Sequence, residues 1–208
     1  MAFIKTIKAG DADGAVAAMY ERQQSAWGYV PNYAKVFCHR PEVMTRWGML
    51  LAEIKRPMDK RRFELVTFVA AHELRNTACS LAHGKALRDF FSDEQIVAIA
   101  AGRFEGTLTE AEQAMVRFAR QIAKDASKVT AGQVARLLEL GYTDADIFDI
   151  AATAAGRAFF TKMLDALGVE SDAPFLAIDD AFRRPLTVGR PIDVREPERM
   201  PEALAATG

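Results

Sequence analysis

The chain has 208 residues, 50% of them hydrophobic and 9% aromatic, with 27 Lys and Arg against 28 Asp and Glu. That length and apolar content can fill a sizeable core, while the near-cancelling charge and the lack of a dense basic cluster argue against nucleic acid as a partner. No apolar run of signal-peptide length precedes Asp11, and no later segment reaches the roughly 18 uninterrupted apolar residues of a membrane span, so a cytoplasmic globular protein without membrane contact is expected.

In chain order, "GDADGAVAAMYERQQSA" (10–26) reads as a helix, and "WGYVPNYAKVF" (27–37) as a turn at Pro31 followed by a short helix. "RPEVMTRWGMLLAEIKR" (40–56) reads as a further helix with Pro41 in its first turn. From Pro57 to Pro174 there is no proline, and apolar residues recur at helical rather than alternating spacing. Within that window "DKRRFELVTFVAAHEL" (59–74) places Leu65, Phe68, Val69 and His72 on one apolar stripe with Glu64 at its edge. A helix through "ACSLAHGKALRDF" follows, with Asn76 as its cap, and then "DEQIVAIAA" before Gly102. Ser92/Gln95, Thr109/Glu112, Thr130/Gln133 and Thr143/Asp146 each set a hydroxyl three residues ahead of an acidic or amide side chain. This capping-box spacing marks helix starts, and the segments it opens include 110–125, 131–141 and 144–168. The class is all-α. A helical domain over 1–182 is expected, followed by a proline-containing arm over 183–208 that is disordered or lies extended on the body or on a neighbouring subunit, adding no helix to the core.

The chemistry concentrates in "RNTACSLAH" (75–83). With Asn76 at the cap, Cys79 takes the third helical position, where free backbone N–H groups and the helix dipole favour a thiolate. His83 lies one turn on, on the same face, able to exchange a proton with the sulfur, and Glu64 is the carboxylate that can fix its tautomer. His72 can line the same pocket from the preceding helix and ranks second, as does Asn76. Cys38 and His39 show no comparable setting. Two cysteines form no disulfide framework, the three histidines and one plausible thiol lack metal-ligand spacing, and no glycine-rich nucleotide loop occurs, so neither metal nor cofactor is expected.

Together Glu64, Asn76, Cys79 and His83, within "RRFELVTFVAAHELRNTACSLAHGKAL" (61–87), carry a resemblance to the AhpD-like alkylhydroperoxidase branch of the carboxymuconolactone decarboxylase family, whose motif is E-x11-C-x2-C-x3-H. Asn76 stands where that motif has its first cysteine. "GYVPNYAKVFCHRPEV" (28–43) is similar to the family's entry segment, and 91–172 is similar to its peroxidase-related subgroup. The resemblance implies an AhpD-like helical bundle assembling as a homo-oligomer, an antioxidant peroxidase activity on a small peroxide or organic substrate, and a thiol reductant. It implies Cys79 as the reacting thiol and His83 with Glu64 as its proton relay. Without the partner cysteine, Cys79 must work through a sulfenic acid resolved by an external thiol or by Cys38. Two other readings fit the same residues: a cofactor-free decarboxylase or isomerase run by His83 and Glu64, and a non-catalytic oligomeric binding protein.

Overall fold

The computed structural model describes residues 2–201. In chain order the α-helices are α1 (Gly14–Trp27), α2 (Asn32–Val36), α3 (Pro41–Lys55), α4 (Lys60–Glu73), α5 (Thr77–Leu87), α6 (Asp93–Ala100), α7 (Glu110–Asp125), α8 (Ala131–Glu139), α9 (Asp144–Ala166) and α10 (Asp180–Leu186). Among the described residues the extended pairing is a single parallel bridge, Ser171 with Ile192. No helix there is long and apolar enough to cross a membrane.

The starts of α6, α7, α8 and α9 are set by side chains. Ser92, Thr109, Thr130 and Thr143 each accept the N–H three residues on, and Gln95, Glu112, Gln133 and Asp146 return the bond to the cap's own N–H. Such reciprocal caps satisfy donors that the helix leaves free, which is why these four boundaries were legible.

Helix α4 is the axis of the fold, packed against α5, α7 and α9. The apolar stripe expected on it proves too narrow a description, because every residue from Phe63 to Ala71 is buried, Glu64 and Thr67 included. An all-round buried helix is what a surrounded central element requires. Helix α5 approaches α10 closely at Gly84, where an added Cβ would stand 2.8 Å from Leu186 Cδ1 and 3.2 Å from the Phe68 ring. Any larger residue would have to push the buried Leu186 side chain aside.

Between α4 and α5 the chain reverses within three residues. The Asn76 N–H bonds the Ala71 carbonyl and the Arg75 N–H bonds the His72 carbonyl, the two bonds of a Schellman turn, with Arg75 in the left-handed conformation (φ 59°) that glycine usually occupies. Asn76 thus closes one helix and caps the next, fixing where Cys79 sits.

The C-terminal region departs from the expectation in one respect. Residues 183–186 complete α10, whose Phe182 and Leu186 are buried one turn apart in the main core, so a short helix does join the bundle and the extended course begins at Thr187. From there the chain crosses the start of α5. The Gly189 N–H donates to Thr77 Oγ1 (3.0 Å), Arg75 Nε donates to the Val188 carbonyl (3.0 Å), and Arg190 donates to the Asp165 carbonyl at 2.7 and 3.1 Å. Further on, Glu198 accepts from the Ala9 N–H and from Lys35 Nζ, and its carbonyl accepts the Val30 N–H. The part of the expected arm from Glu202 to Gly208 lies outside the described residues.

Candidate active site

Three elements bring the chemistry together. Asn76 is buried at the start of α5, its Oδ1 accepting the Cys79 N–H (2.9 Å) and its Nδ2 donating to Asp165 Oδ1 (3.1 Å) on α9. Each end of that amide makes one bond, so Asn76 ties the start of α5 to α9 and fixes where Cys79 sits. One turn along α5, His83 Nδ1 lies 2.6 Å from Glu64 Oε2 across the α4–α5 contact.

The protons of this pair follow from its surroundings. Burial raises the Glu64 carboxyl, but the hydrogen bond and charge of His83, with Lys55 and Arg157, outweigh it and hold Glu64 below its ordinary value. Burial lowers His83, the Arg157 charge adds to this, and Glu64 only partly reverses it. Glu64 is therefore ionised and His83 neutral near pH 7, which puts the imidazole proton on Nδ1, facing the carboxylate, and leaves Nε2 with a lone pair.

Cys79 and His83 face one cavity of about 140 Å³. Its walls are Trp27 from α1, Tyr33 from α2, Met44 and Trp47 from α3, Phe160 and Leu164 from α9, and Phe175, with Arg157 and Asp172 as further polar groups. Trp47 and Phe160 stack with centroids 4.3 Å apart, and Tyr33 meets Phe160 edge-on at 5.4 Å. Asp172 Oδ1 accepts the Asn32 N–H at 2.7 Å, and burial raises its carboxyl to about 6.

The helix-start position of Cys79 was expected to favour a thiolate. Instead burial raises the thiol above its ordinary value, and the charge and hydrogen bond of Arg157 only partly oppose this. Arg157 Nη1 lies 3.5 Å from the sulfur, and its guanidinium faces the Trp47 and Phe160 rings at 5.7 Å each. The resting sulfur is thus a thiol that shares its cavity with a neutral imidazole, with a cation placed to hold the thiolate once a base removes its proton.

Arg157 was not found from the sequence, although a signal existed. On α9 the buried positions are Ile147, Ile150, Thr153, Ala154, Arg157, Phe160, Thr161 and Leu164, which puts an arginine on the core-facing stripe of "IAATAAGRAFF". His72, by contrast, is not brought to this cavity. It lies half-buried near Phe68, with the Pro185 backbone and the Arg120 charge as neighbours, and burial followed by Arg120 lowers its pKa. Cys38 is a free, buried thiol outside the cavity lining. Among the described residues no cluster of three or more His, Cys, Asp or Glu is placed to hold a metal ion.

No protein-family model and no curated protein sequence matches the chain. Solved structures do match. An uncharacterized peroxidase-related protein with an alkylhydroperoxidase AhpD core from Ralstonia eutropha JMP134 superposes with a TM-score of 0.71 at 20% identity, covering 91% of this chain and 98% of the other. A peroxidase-related protein from Silicibacter sp. TM1040 follows at 0.68 and 20% identity, covering 82% and 94%. A cysteine-to-alanine variant of the debrominase Bmp8, in complex with 2,3,4-tribromopyrrole, gives 0.64 and 16% identity, covering 82% and 89%.

Proposed function

The chain has the AhpD-like all-α fold, and on that frame we propose a thiol peroxidase that reduces a small organic hydroperoxide at Cys79. The observation that carries the reading is the 2.6 Å Glu64–His83 hydrogen bond, made by a histidine that lines the same cavity as Cys79. His83 Nε2 takes the thiol proton as the sulfur attacks the distal peroxide oxygen. The S–O bond forms, the O–O bond breaks, and the alkoxide leaves with the proton carried by His83. Cys79 becomes a sulfenic acid and the peroxide an alcohol and that sulfenic oxygen. Glu64 is a positioning residue that fixes the imidazole tautomer, and Arg157 holds the developing thiolate.

The sulfenic acid then condenses with one external low-molecular-weight thiol, releasing water. A second such thiol exchanges with the mixed disulfide and restores Cys79. An external thiol is invoked because Asn76 occupies the place of a resolving cysteine and Cys38 does not line the cavity. Homo-oligomeric assembly belongs to the same reading, supported by Met49, Leu50, Phe148 and Phe159, large apolar side chains exposed on the packed helices α3 and α9.

The test is to treat reduced protein with one equivalent of an alkyl hydroperoxide in the presence of a sulfenic-acid trap and to map the adduct by peptide mass spectrometry. Rapid stoichiometric labelling at Cys79 is expected. An unmodified Cys79 would overturn the peroxidase and leave proton transfer by His83 and Glu64 in its place, a chemistry that Cys79→Ser should leave largely intact. The aromatic walls favour a second reading, dehalogenation of a small ring at Cys79, since a debrominase of the same fold is solved with 2,3,4-tribromopyrrole. Halide release from a bromopyrrole, with no turnover of hydroperoxide, would select it.

A further inference from the structure

Arg157 is over-provided with charge for a residue whose only task is to face a sulfur. It is 4% exposed, its Nε has no hydrogen-bond partner, and among the described residues no carboxylate forms an ion pair with it. Asp172 is the carboxyl on the cavity wall, and its Oδ1 is engaged by the Asn32 N–H. The Glu64 carboxylate feels its charge without touching it, and a buried guanidinium with no carboxylate in contact leaves a place that an anion can complete. Arg157 lines the cavity and its Nη1 touches Cys79 Sγ, so an anion held by the guanidinium there lies at the sulfur. The space around it has a definite size. A cavity of about 140 Å³ compares with the roughly 150 Å³ that accommodates a benzene ring, and here stacked Trp47 and Phe160 form its wall.

We propose that this cavity is a site for a one-ring aromatic carboxylate held by Arg157, and hence that the substrate of Cys79 is the corresponding aryl peroxy acid. The binding stands on the geometry alone, whereas the naming of the substrate rests on the reading of Cys79 as the reacting thiol. In the step, His83 removes the Cys79 proton and the thiolate attacks the distal oxygen of the peroxy acid. The S–O bond forms as the O–O bond breaks, the electron pair leaves on the aryl carboxylate at Arg157, and sulfur is oxidised to the sulfenic acid. An acidic leaving group needs no proton from His83, and Arg157 stabilises the charge it carries away.

Both tryptophans of the chain, Trp27 and Trp47, line the cavity, so intrinsic fluorescence reports its occupancy directly. Benzoate and its neutral isostere benzamide are titrated into the full-length reduced protein, and Cys79 alkylation is followed in parallel. Saturable binding of benzoate, at least roughly tenfold tighter than benzamide, is expected, with protection of Cys79 against alkylation. Arg157→Gln is expected to abolish that preference while retaining benzamide binding. Equal affinity for the two probes, no saturable response to either, or an unchanged preference in Arg157→Gln each overturns the proposal. Should Arg157→Gln fail to fold, the two probes on the wild-type protein still decide it. Failure here with hydroperoxide labelling of Cys79 intact rejects the aryl acid alone; benzoate binding without any Cys79 oxidation rejects the peroxidase alone.

Discussion

Cys38 and Cys79 are equally buried, each 6% exposed, and belong to the same apolar cluster beneath α1, α2 and α9. Their neighbours separate them. Cys38 sits in the short turn after α2, with Tyr20 as its titratable neighbour, while Cys79 sits at the capped start of α5 with a guanidinium on its sulfur and a carboxylate-backed imidazole in the same cavity. Burial makes a thiol inert on its own; a cation on the sulfur and an imidazole in the same cavity are what distinguish Cys79 and carry the proposed chemistry.

The comparison breaks most completely at sulfur. Cys79→Ser is expected to lower peroxide turnover by roughly a thousandfold or more, whereas Cys38→Ser should leave it within about twofold, both read as peroxide consumption with an external thiol as reductant. Replacing the base by His83→Asn should cost on the order of a hundredfold or more in kcat/KM.

Glu64→Gln should cost less in rate, about tenfold to a hundredfold, and should also move the pH profile. His83 lies below its ordinary value because burial and Arg157 outweigh Glu64. The base form of His83 is required, so activity should fall only as pH drops through a midpoint below about 6.5. Removing the Glu64 charge takes away an influence that raises the imidazole, so the acid limb of Glu64→Gln should lie lower still. A limb that moved upward would contradict the assigned tautomer and charge state.

Smaller effects come from what holds the start of α5. A Cβ at Gly189 would meet the Arg75 carbonyl oxygen at 1.7 Å, so Gly189→Ala must lift the arm and its bond to Thr77. A stability loss of about 1–3 kcal/mol is expected, read as a lower melting temperature with earlier proteolysis of the arm, and activity should fall several-fold. Thr143→Ala, which removes the exposed cap at the start of α9, outside the cavity lining, should cost about 1 kcal/mol in thermal melts with activity unchanged.

How much of this was legible in the sequence depends on what carries each feature. Capping boxes and the Asn76 cap are local, a matter of residues three apart, and they marked the helix starts. The pairing of Glu64 with His83 rested on the resemblance together with helical register, because two residues 19 apart meet only if α4 and α5 turn back on each other. Arg157 is brought to Cys79 by packing of α9, 78 residues on, which no local pattern encodes; its place on the buried stripe was the available clue. The arm was left open between disorder and an extended course on the body for a different reason. Its attachment is made largely by backbone groups and by Arg75, Arg190 and Glu198, with only Ile192 and Met200 packing on the core, so a reading based on hydrophobic content sees little more than a polar tail. His72 shows the converse error: it shares the stripe of α4 with Phe68, yet that helix is buried on all sides and the stripe at His72 faces α10 and Arg120, not the cavity.

The most direct measurement is the pH dependence of sulfenic-acid formation at Cys79 and Cys38 in the same sample, followed by peptide mass spectrometry after a pulse of hydroperoxide. The account expects fast labelling at Cys79 alone, with an acid limb below about 6.5 that His83→Asn abolishes together with the rate. Equal labelling of the two cysteines, or a Cys79 rate indifferent to His83→Asn, would contradict it.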